Sequence, residues 1–330
     1  MDRERLVLQT GAAAVIFALG LRLLCALPNA AWIDRQTLFS FLFFTETGHR
    51  ISFIPESQPE EPTDPTVATL SIAPEALPVF TEQDANLVKV RSGWGYEADV
   101  PALLQTPLQW ELAQPQPTVL ILHSHATESY QNTENYIESS AFRTLDTRYN
   151  MVSIGAALKS RLEAGGIRVL HAEELHDYPS YNGSYDHSRQ TAQQQLSLHP
   201  EILLILDLHR DALEDSSGNQ TGPTVSVPGG SAARLMLVVG SDFGGQEHPQ
   251  WQQNLALAVK LQAQLESRYP GICRDISFRS QRFNQDLSPG AILVEVGAAG
   301  NTRQEALAAA DCLAQAILDL AHGTETEKPP

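Results

Sequence analysis

The sequence predicts an α/β protein in which a largely parallel sheet is flanked by helices. Strand and helix patterns alternate from Pro117 onward, an order that is typical of parallel sheets. The run at 202–208 is almost continuously apolar, as expected for a strand that is covered on both faces. Three of the predicted strands end in clusters of His, Asp and Glu, which places polar chemistry at one edge of the sheet.

The predicted elements begin and end at recognisable signals. Asn150 is expected to cap a helix that stops at Gly165, and Thr302 with Glu305 forms a capping box at the start of the last helix. Strands are predicted over 118–122, 167–170, 202–208, 233–239 and 291–296. Helices are predicted over 150–163, 184–198, 250–267 and 302–320.

The amino-acid composition excludes some classes of function. The 330-residue chain carries a formal net charge of -17, which argues against a nucleic-acid-binding protein, because such proteins need a basic surface. The three cysteines form no CxxC pair, which excludes a zinc ribbon and argues against a disulfide framework.

The N-terminal segment is apolar and precedes a proline-rich, acidic stretch. We expect residues 1–28 to be a transmembrane signal anchor, with a cleaved signal peptide as the alternative. The protein would then be a single-pass cell-membrane protein with its catalytic domain outside the cytoplasm. The remaining predicted regions are a tether over 29–85, a short lead-in module over 86–116, a catalytic domain over 117–322 and a disordered tail over 323–330.

The three polar clusters supply the donor set of a zinc hydrolase. The first, HSHATESY, contains the pair His125 and Glu128, and the second contributes His209. Two imidazoles and a carboxylate are a known ligand set for catalytic zinc, which leaves a fourth position for water. Glu295, in the third cluster, is then the candidate catalytic base, because a second carboxylate has to take up the proton of that water.

Each of these residues also has a simpler explanation. His123 can be the ligand in place of His125, or can support it from behind. Glu128 can cap a following helix, and His209 can pair with a neighbouring acid such as Asp207.

Three further residues are candidates for substrate binding. Arg210 can bind a substrate carboxylate or pair with Asp211, and Arg282 can contact substrate or pair with Glu295. Asn301, at the end of the third cluster, is the last of these candidates. The tyrosine-rich loop 178–185 can line a sugar or peptide groove, or can be a simple turn.

Five motifs in this order resemble the stage II sporulation protein P family of endospore-forming bacteria, over roughly residues 86–320. They are HSHATESY, YPSYNGSY, LDLHRDA, SQRFNQDLSPG and LVEVGAAGNT. The resemblance implies a zinc amidase-like fold, a Zn²⁺ cofactor and hydrolysis of the amide between N-acetylmuramic acid and L-alanine in peptidoglycan. It also implies endopeptidase activity on peptide cross-links during engulfment, with stage II sporulation proteins D and M as partners.

The same resemblance assigns roles to residues of this chain. It places the ligands on His125, Glu128 and His209, and the base on Glu295. Many wall amidases have their ligand glutamate at the start of the next helix, which makes Asp146 the alternative acid. Two other functions remain open at this point: a carboxypeptidase-like enzyme that trims stem peptides, and a non-catalytic scaffold that binds the wall.

Overall fold

A seven-stranded mixed sheet organises the chain, and the computed structural model describes residues 80–134 and 141–322. The strands are β1 (Val90–Ser92), β2 (Val119–Leu122), β3 (Val169–His171), β4 (Leu204–Asp211), β5 (Thr224–Val227), β6 (Gly230–Ala233), β7 (Leu235–Val239), β8 (Ile276–Phe278) and β9 (Ala291–Ala298). The helices are α1 (Glu82–Ala85), α2 (Val100–Gln105), α3 (Met151–Ala164), α4 (Ser184–Leu198), α5 (Trp251–Arg268) and α6 (Arg303–His322), and a 3₁₀ turn spans Gln285–Leu287.

The strand order in the sheet is β1-β8-β7-β9-β4-β2-β3, and every pairing except β7 with β9 is parallel. Strands β5 and β6 form a separate hairpin. The predicted α/β class with a largely parallel sheet is therefore confirmed. Strands β9, β4 and β2 are parallel neighbours, so their C-terminal ends lie at one edge.

Helices cover the two faces of the sheet unequally. Helices α3, α5 and α6 pack on the face formed by Leu206, Val294 and Leu237 and share with it the largest apolar cluster. On the opposite face, Ala192 of α4 packs against Leu120 and neighbouring residues of β2 and β4. Each buried Leu, Ile or Val side chain of this kind contributes about 1.5–3 kcal/mol.

Helix caps follow the sequence signals. The Asn150 side chain accepts a hydrogen bond from the Val152 amide, and Gly165 follows the last residue of α3. At α6, the Thr302 hydroxyl accepts from the Glu305 amide, while the Glu305 carboxylate accepts from the Thr302 amide. The capping box predicted there is thus present.

Strand β4 runs to Asp211, so His209 belongs to the strand itself and not to a loop after it. Strand β1, within the predicted lead-in module, pairs with β8 as an edge strand of the main sheet. Strand β8 has only three residues, too few for a periodic signal.

The predicted cell-membrane localisation is corrected. Across 80–134 and 141–322, none of the helices combines the length and apolar character that crossing a bilayer demands. The predicted anchor over 1–28 lies outside the described residues, as do most of the predicted tether and the tail over 323–330.

Candidate metal centre

The three polar clusters meet at the edge formed by β2, β4 and β9. His125 comes shortly after β2, while His209 and Glu295 are register partners on β4 and β9. Register partners on neighbouring strands project from the same face of the sheet. The topology therefore brings together side chains that are far apart in sequence.

His125, Glu128 and His209 each offer a ligand atom, and these atoms all lie within 4.8 Å of one another. The Nδ1 atom of His125 is 3.5 Å from Glu128 Oε1, and the Nδ1 atom of His209 is 3.6 Å from Glu128 Oε2. Ligand atoms of tetrahedral zinc, at about 2.0–2.2 Å from the metal, are separated by roughly 3.3–3.5 Å. The spacing and the chemistry of these donors fit a zinc ion.

Glu128 is buried as an anion between positive groups. Burial raises its pKa, but hydrogen bonds with His125 and His209 and the charge of Arg210 lower it, and the net pKa is well below the usual range. The Arg210 backbone amide donates to Glu128 Oε2 at 3.1 Å, and Arg143 Nη2 lies 3.3 Å from Oε1. The carboxylate is thus ionised and held in place, as a metal ligand must be.

Asp207 lies behind His209. Its Oδ1 atom is 3.0 Å from His209 Nε2, although the angle between them is not that of a good hydrogen bond. Asp207 is itself held by the amide and hydroxyl of Ser124, at 2.8 and 2.6 Å. Burial lowers the pKa of His209, but Asp207 and Glu128 raise it above its usual value. A carboxylate on the far side of a histidine ligand orients the ring and strengthens it as a donor.

Two tyrosines of the loop 178–185 surround His125. The Tyr181 ring stacks on the imidazole with 4.5 Å between ring centroids, and the Tyr185 ring meets it edge-on at 5.4 Å. Burial raises the pKa of the Tyr185 phenol, and the nearby charges of Asp207 and Glu295 raise it further, so the phenol stays protonated. Tyr185 is therefore a hydrogen-bond donor beside the metal centre.

Glu295 differs from Glu128 in that it forms no ion pair with the Lys, Arg or His side chains of residues 80–134 and 141–322. Its Oε2 atom is buried and lacks a hydrogen-bond partner, although the side chain as a whole is partly exposed. Desolvation raises its pKa to about 8. A carboxyl group whose pKa lies near neutrality is suited to receive and return a proton.

His123 does not belong to the group of close donor atoms. Its Nδ1 faces the Leu208 carbonyl at 3.2 Å, and its Nε2 faces His171 Nε2 at 2.8 Å. Burial and the neighbouring His171 lower the pKa of His123 to about 3, so the ring is neutral. Because a carbonyl can only accept, the proton of His123 lies on Nδ1, and His171 donates to Nε2. His123 thus fixes the backbone of β4 next to His209.

Gly155 in α3 makes room for this histidine pair. A Cβ atom there would lie 2.5 Å from His171 Nε2 and 2.7 Å from His123 Nε2. We expect Gly155→Ala to lower the free energy of unfolding by about 1–3 kcal/mol through overpacking, although alanine favours a helix by about 1 kcal/mol. Urea denaturation of the variant and the wild type would measure the change. Adding His171→Ala should recover only part of the loss, because the new Cβ would still lie 2.7 Å from His123 Nε2, and a stabilised single variant would contradict the packing argument.

The other predicted site residues lie as follows. The Asp146 carboxylate binds the Arg148 guanidinium, whose hydrogen bonds lower the pKa of Asp146 to about 2, and it is not among the clustered donors. The Arg210 guanidinium donates to the carbonyls of residues 129, 141 and 142. Arg282 Nε lies 3.5 Å from an Asp286 oxygen. The side-chain amide of Asn301 accepts a hydrogen bond from the Ala298 backbone amide and donates one to the Glu305 carboxylate in α6.

Sequence reasoning missed Arg143 and Asp177. Arg143 Nη1 contacts the Asp177 carboxylate at 2.5 Å, and Asp177 also accepts from the Thr127 amide and hydroxyl. This network closes the turn that carries Glu128. Its members lie in loops, which have no periodic sequence pattern. The one available signal was the position of Asp177 directly before the tyrosine-rich loop.

The fold and the site define an α/β protein with a donor set of the kind found in zinc hydrolases. The model of the family "Stage II sporulation protein P (SpoIIP)" matches residues 56–318, and the chain belongs to this family. Stage II sporulation protein P of Bacillus subtilis (strain 168) is 26% identical over 213 residues, which are 61% of this chain and 50% of that protein. The chain therefore spans about half the length of this curated relative.

Several solved structures are similar at low identity. An N-acetylmuramoyl-L-alanine amidase from Clostridium difficile 630 has a TM-score of 0.37 and 17% identity, covering 63% of this chain and 95% of its own. The amidase Ami1 from Mycobacterium smegmatis has a TM-score of 0.37 and 15% identity, covering 63% of this chain and 96% of its own. Because these TM-scores are below 0.5, the two similarities carry no information about the activity of this chain.

Proposed function

We propose that this chain is a peptidoglycan hydrolase that acts in sporulation and cleaves the amide between N-acetylmuramic acid and L-alanine. The observation that carries the proposal is the group His125, Glu128 and His209, with Glu295 beside it on the same sheet edge. Membership of the stage II sporulation protein P family supports peptidoglycan as the substrate. We propose Zn²⁺ as the cofactor and the three clustered side chains as its ligands.

Each residue of the site then has a distinct task. Zinc, when bound, supplies the Lewis acidity that polarises a carbonyl and lowers the pKa of water. Glu295 takes the proton from the attacking water and returns it to the leaving nitrogen, because its Oε2 atom has no hydrogen-bond partner within the described part of the chain. Asp207 keeps the His209 ring oriented, and Tyr185 is placed to donate a hydrogen bond to substrate oxygen.

A wider role is part of the same proposal. We propose that the enzyme also cuts stem-peptide cross-links and acts with stage II sporulation proteins D and M during engulfment. Family membership supports this setting.

Digestion of purified peptidoglycan by the full chain tests the proposal. Zinc content is measured on the same sample, and the products are identified by mass spectrometry. Glycan with free lactyl ends and intact released peptides is the expected result. Shortened peptides that are still amide-linked to glycan would instead identify a trimming enzyme. A protein that holds no zinc and releases no fragments would be a scaffold.

A further inference from the structure

A groove rich in arginine lies on the sheet face that carries Glu295. It has a volume of about 500 Å³, and its lining includes the four arginines Arg91, Arg234, Arg274 and Arg279. Among the described residues, the carboxylates that line it are Asp211 and Asp275. A positive groove is unexpected on a chain whose formal net charge is -17. Local charge of opposite sign to the whole protein points to an anionic ligand.

The groove begins next to the metal centre. Met236 lines it and is the register partner of Glu295 on the neighbouring strand. Ser277 of β8 and its register partner Arg91 of β1 continue the same lining outward. From β9 to β1 there are three strand spacings, or roughly 14 Å. An extended peptide of about four residues covers that distance.

Two of the four arginines are held by a carboxylate or by backbone carbonyls, and the other two have no ion-pair partner among residues 80–134 and 141–322. Arg274 Nη1 is 2.6 Å from Asp211 Oδ2, and Arg234 donates to the carbonyls of Gly271 and Cys273. Arg91 and Arg279 are exposed and form no ion pair with any residue in the described ranges, although Arg279 Nε donates a hydrogen bond to Ser277 Oγ at 2.7 Å. The guanidinium of Arg91 and the two Nη groups of Arg279 therefore remain for a ligand, and guanidinium groups match carboxylates in a bidentate geometry.

We propose that this groove binds the carboxylates of an acidic peptide that extends from the amine side of the scissile amide. The proposal rests on the proposed function and adds the direction in which substrate lies. On the acyl side, the carboxyl group of the sugar is consumed in the amide, so negative charge near the cut bond belongs to the peptide. The peptide then crosses β7, β8 and β1, and the sugar lies on the side of Tyr181.

Substrates that differ only in charge test the inference. One is a muramoyl peptide with free carboxylates, and the other is the same molecule with those carboxylates amidated. We expect the zinc-loaded full chain to cleave the free form with a kcat/KM about tenfold higher, as two guanidinium–carboxylate pairs would give. Arg91→Glu and Arg279→Glu should each remove most of that preference through KM, with a much smaller effect on cleavage of the amidated substrate. Arg91→Lys should retain part of it.

Arg168→Glu is the matched control, because Arg168 is exposed and directly precedes β3, at the opposite edge of the sheet. Arg168→Glu should leave kcat/KM unchanged for both substrates. Equal cleavage of both substrates by the wild type, or equal losses on both in Arg91→Glu, would overturn the groove while leaving the hydrolase intact.

A binding measurement separates the two proposals. Fluorescence anisotropy with the labelled acidic peptide, compared with its amidated form, requires no turnover. If the wild type cleaves neither substrate but binds the acidic peptide more tightly, and Arg91→Glu abolishes that difference, the hydrolase proposal fails and the groove stands. If binding shows no preference for the acidic form, the groove proposal fails.

Discussion

Replacing His209 with alanine should abolish both zinc binding and peptidoglycan hydrolysis. In the proposed site His209 is one of three ligands, and we expect the two that remain not to hold the metal at a hydrolase's working affinity. Loss of an orienting partner alone lowers metal affinity by about 10–100-fold, so loss of a ligand should exceed that range. Metal analysis of the gel-filtered variant and mass spectrometry of released muropeptides measure the two effects.

A structural effect of this substitution has to be separated from the loss of a ligand. Removing His209 leaves the buried Asp207 carboxylate without its nearest positive partner, which itself destabilises the fold. The double variant Asp207→Asn with His209→Ala removes that charge. It should recover stability relative to His209→Ala but should still not bind zinc. His199→Ala, at the end of α4 and away from the site, should bind zinc as the wild type does. Full zinc retention in His209→Ala would contradict the proposed ligand set.

The convergence of the site on one sheet edge could be predicted from sequence. Polar residues directly after apolar runs indicate strand ends, and parallel strands bring such ends together. This argument needed only the order of elements, and helix α4 was predicted with the bounds 184–198 that the structure has. It placed His209 and Glu295 near each other without any contact information, and they are register partners.

The choice between His123 and His125 could not be made from sequence. Both are histidines in one turn after β2, and their local chemistry is the same. Their tertiary contacts differ. His123 is hydrogen-bonded to His171 and packs over Gly155, whereas His125 lies next to Glu128. The required partners lie 48 and 32 residues further along the chain, beyond the reach of any local pattern.

The arginine groove could not be predicted from the sequence either. Its four arginines come from β1, the start of β7 and both ends of β8, and no segment of the sequence is basic in itself. Only the reversed direction of β7 beside β9, together with the short strand β8, assembles them on one face. The site depends on the order and direction of the strands, so the amino-acid composition does not predict it.

Glu295→Gln should retain zinc and lose hydrolysis, in contrast to His209→Ala. Glutamine has almost the same shape but cannot accept a proton, and general-base catalysis typically contributes 10²–10⁴-fold. We therefore expect kcat to fall by at least about 100-fold with little change in KM or in zinc content. Metal analysis and single-turnover hydrolysis measure this. Equal zinc loss in the two variants would contradict the separation of ligand from base.

The same substitution should change how the stability of the chelator-treated protein depends on pH. Burial raises the pKa of Glu295 from 4.5 to about 8, so the folded state binds a proton that the unfolded chain releases. The stabilisation from this proton is present in full below pH 4.5 and is lost as the pH rises to about 8. Glutamine does not titrate, so Glu295→Gln should gain stability relative to the wild type across this interval. Thermal unfolding of both proteins between pH 4.5 and 8 would show a widening difference in Tm, and parallel curves would mean that Glu295 is already ionised in the fold.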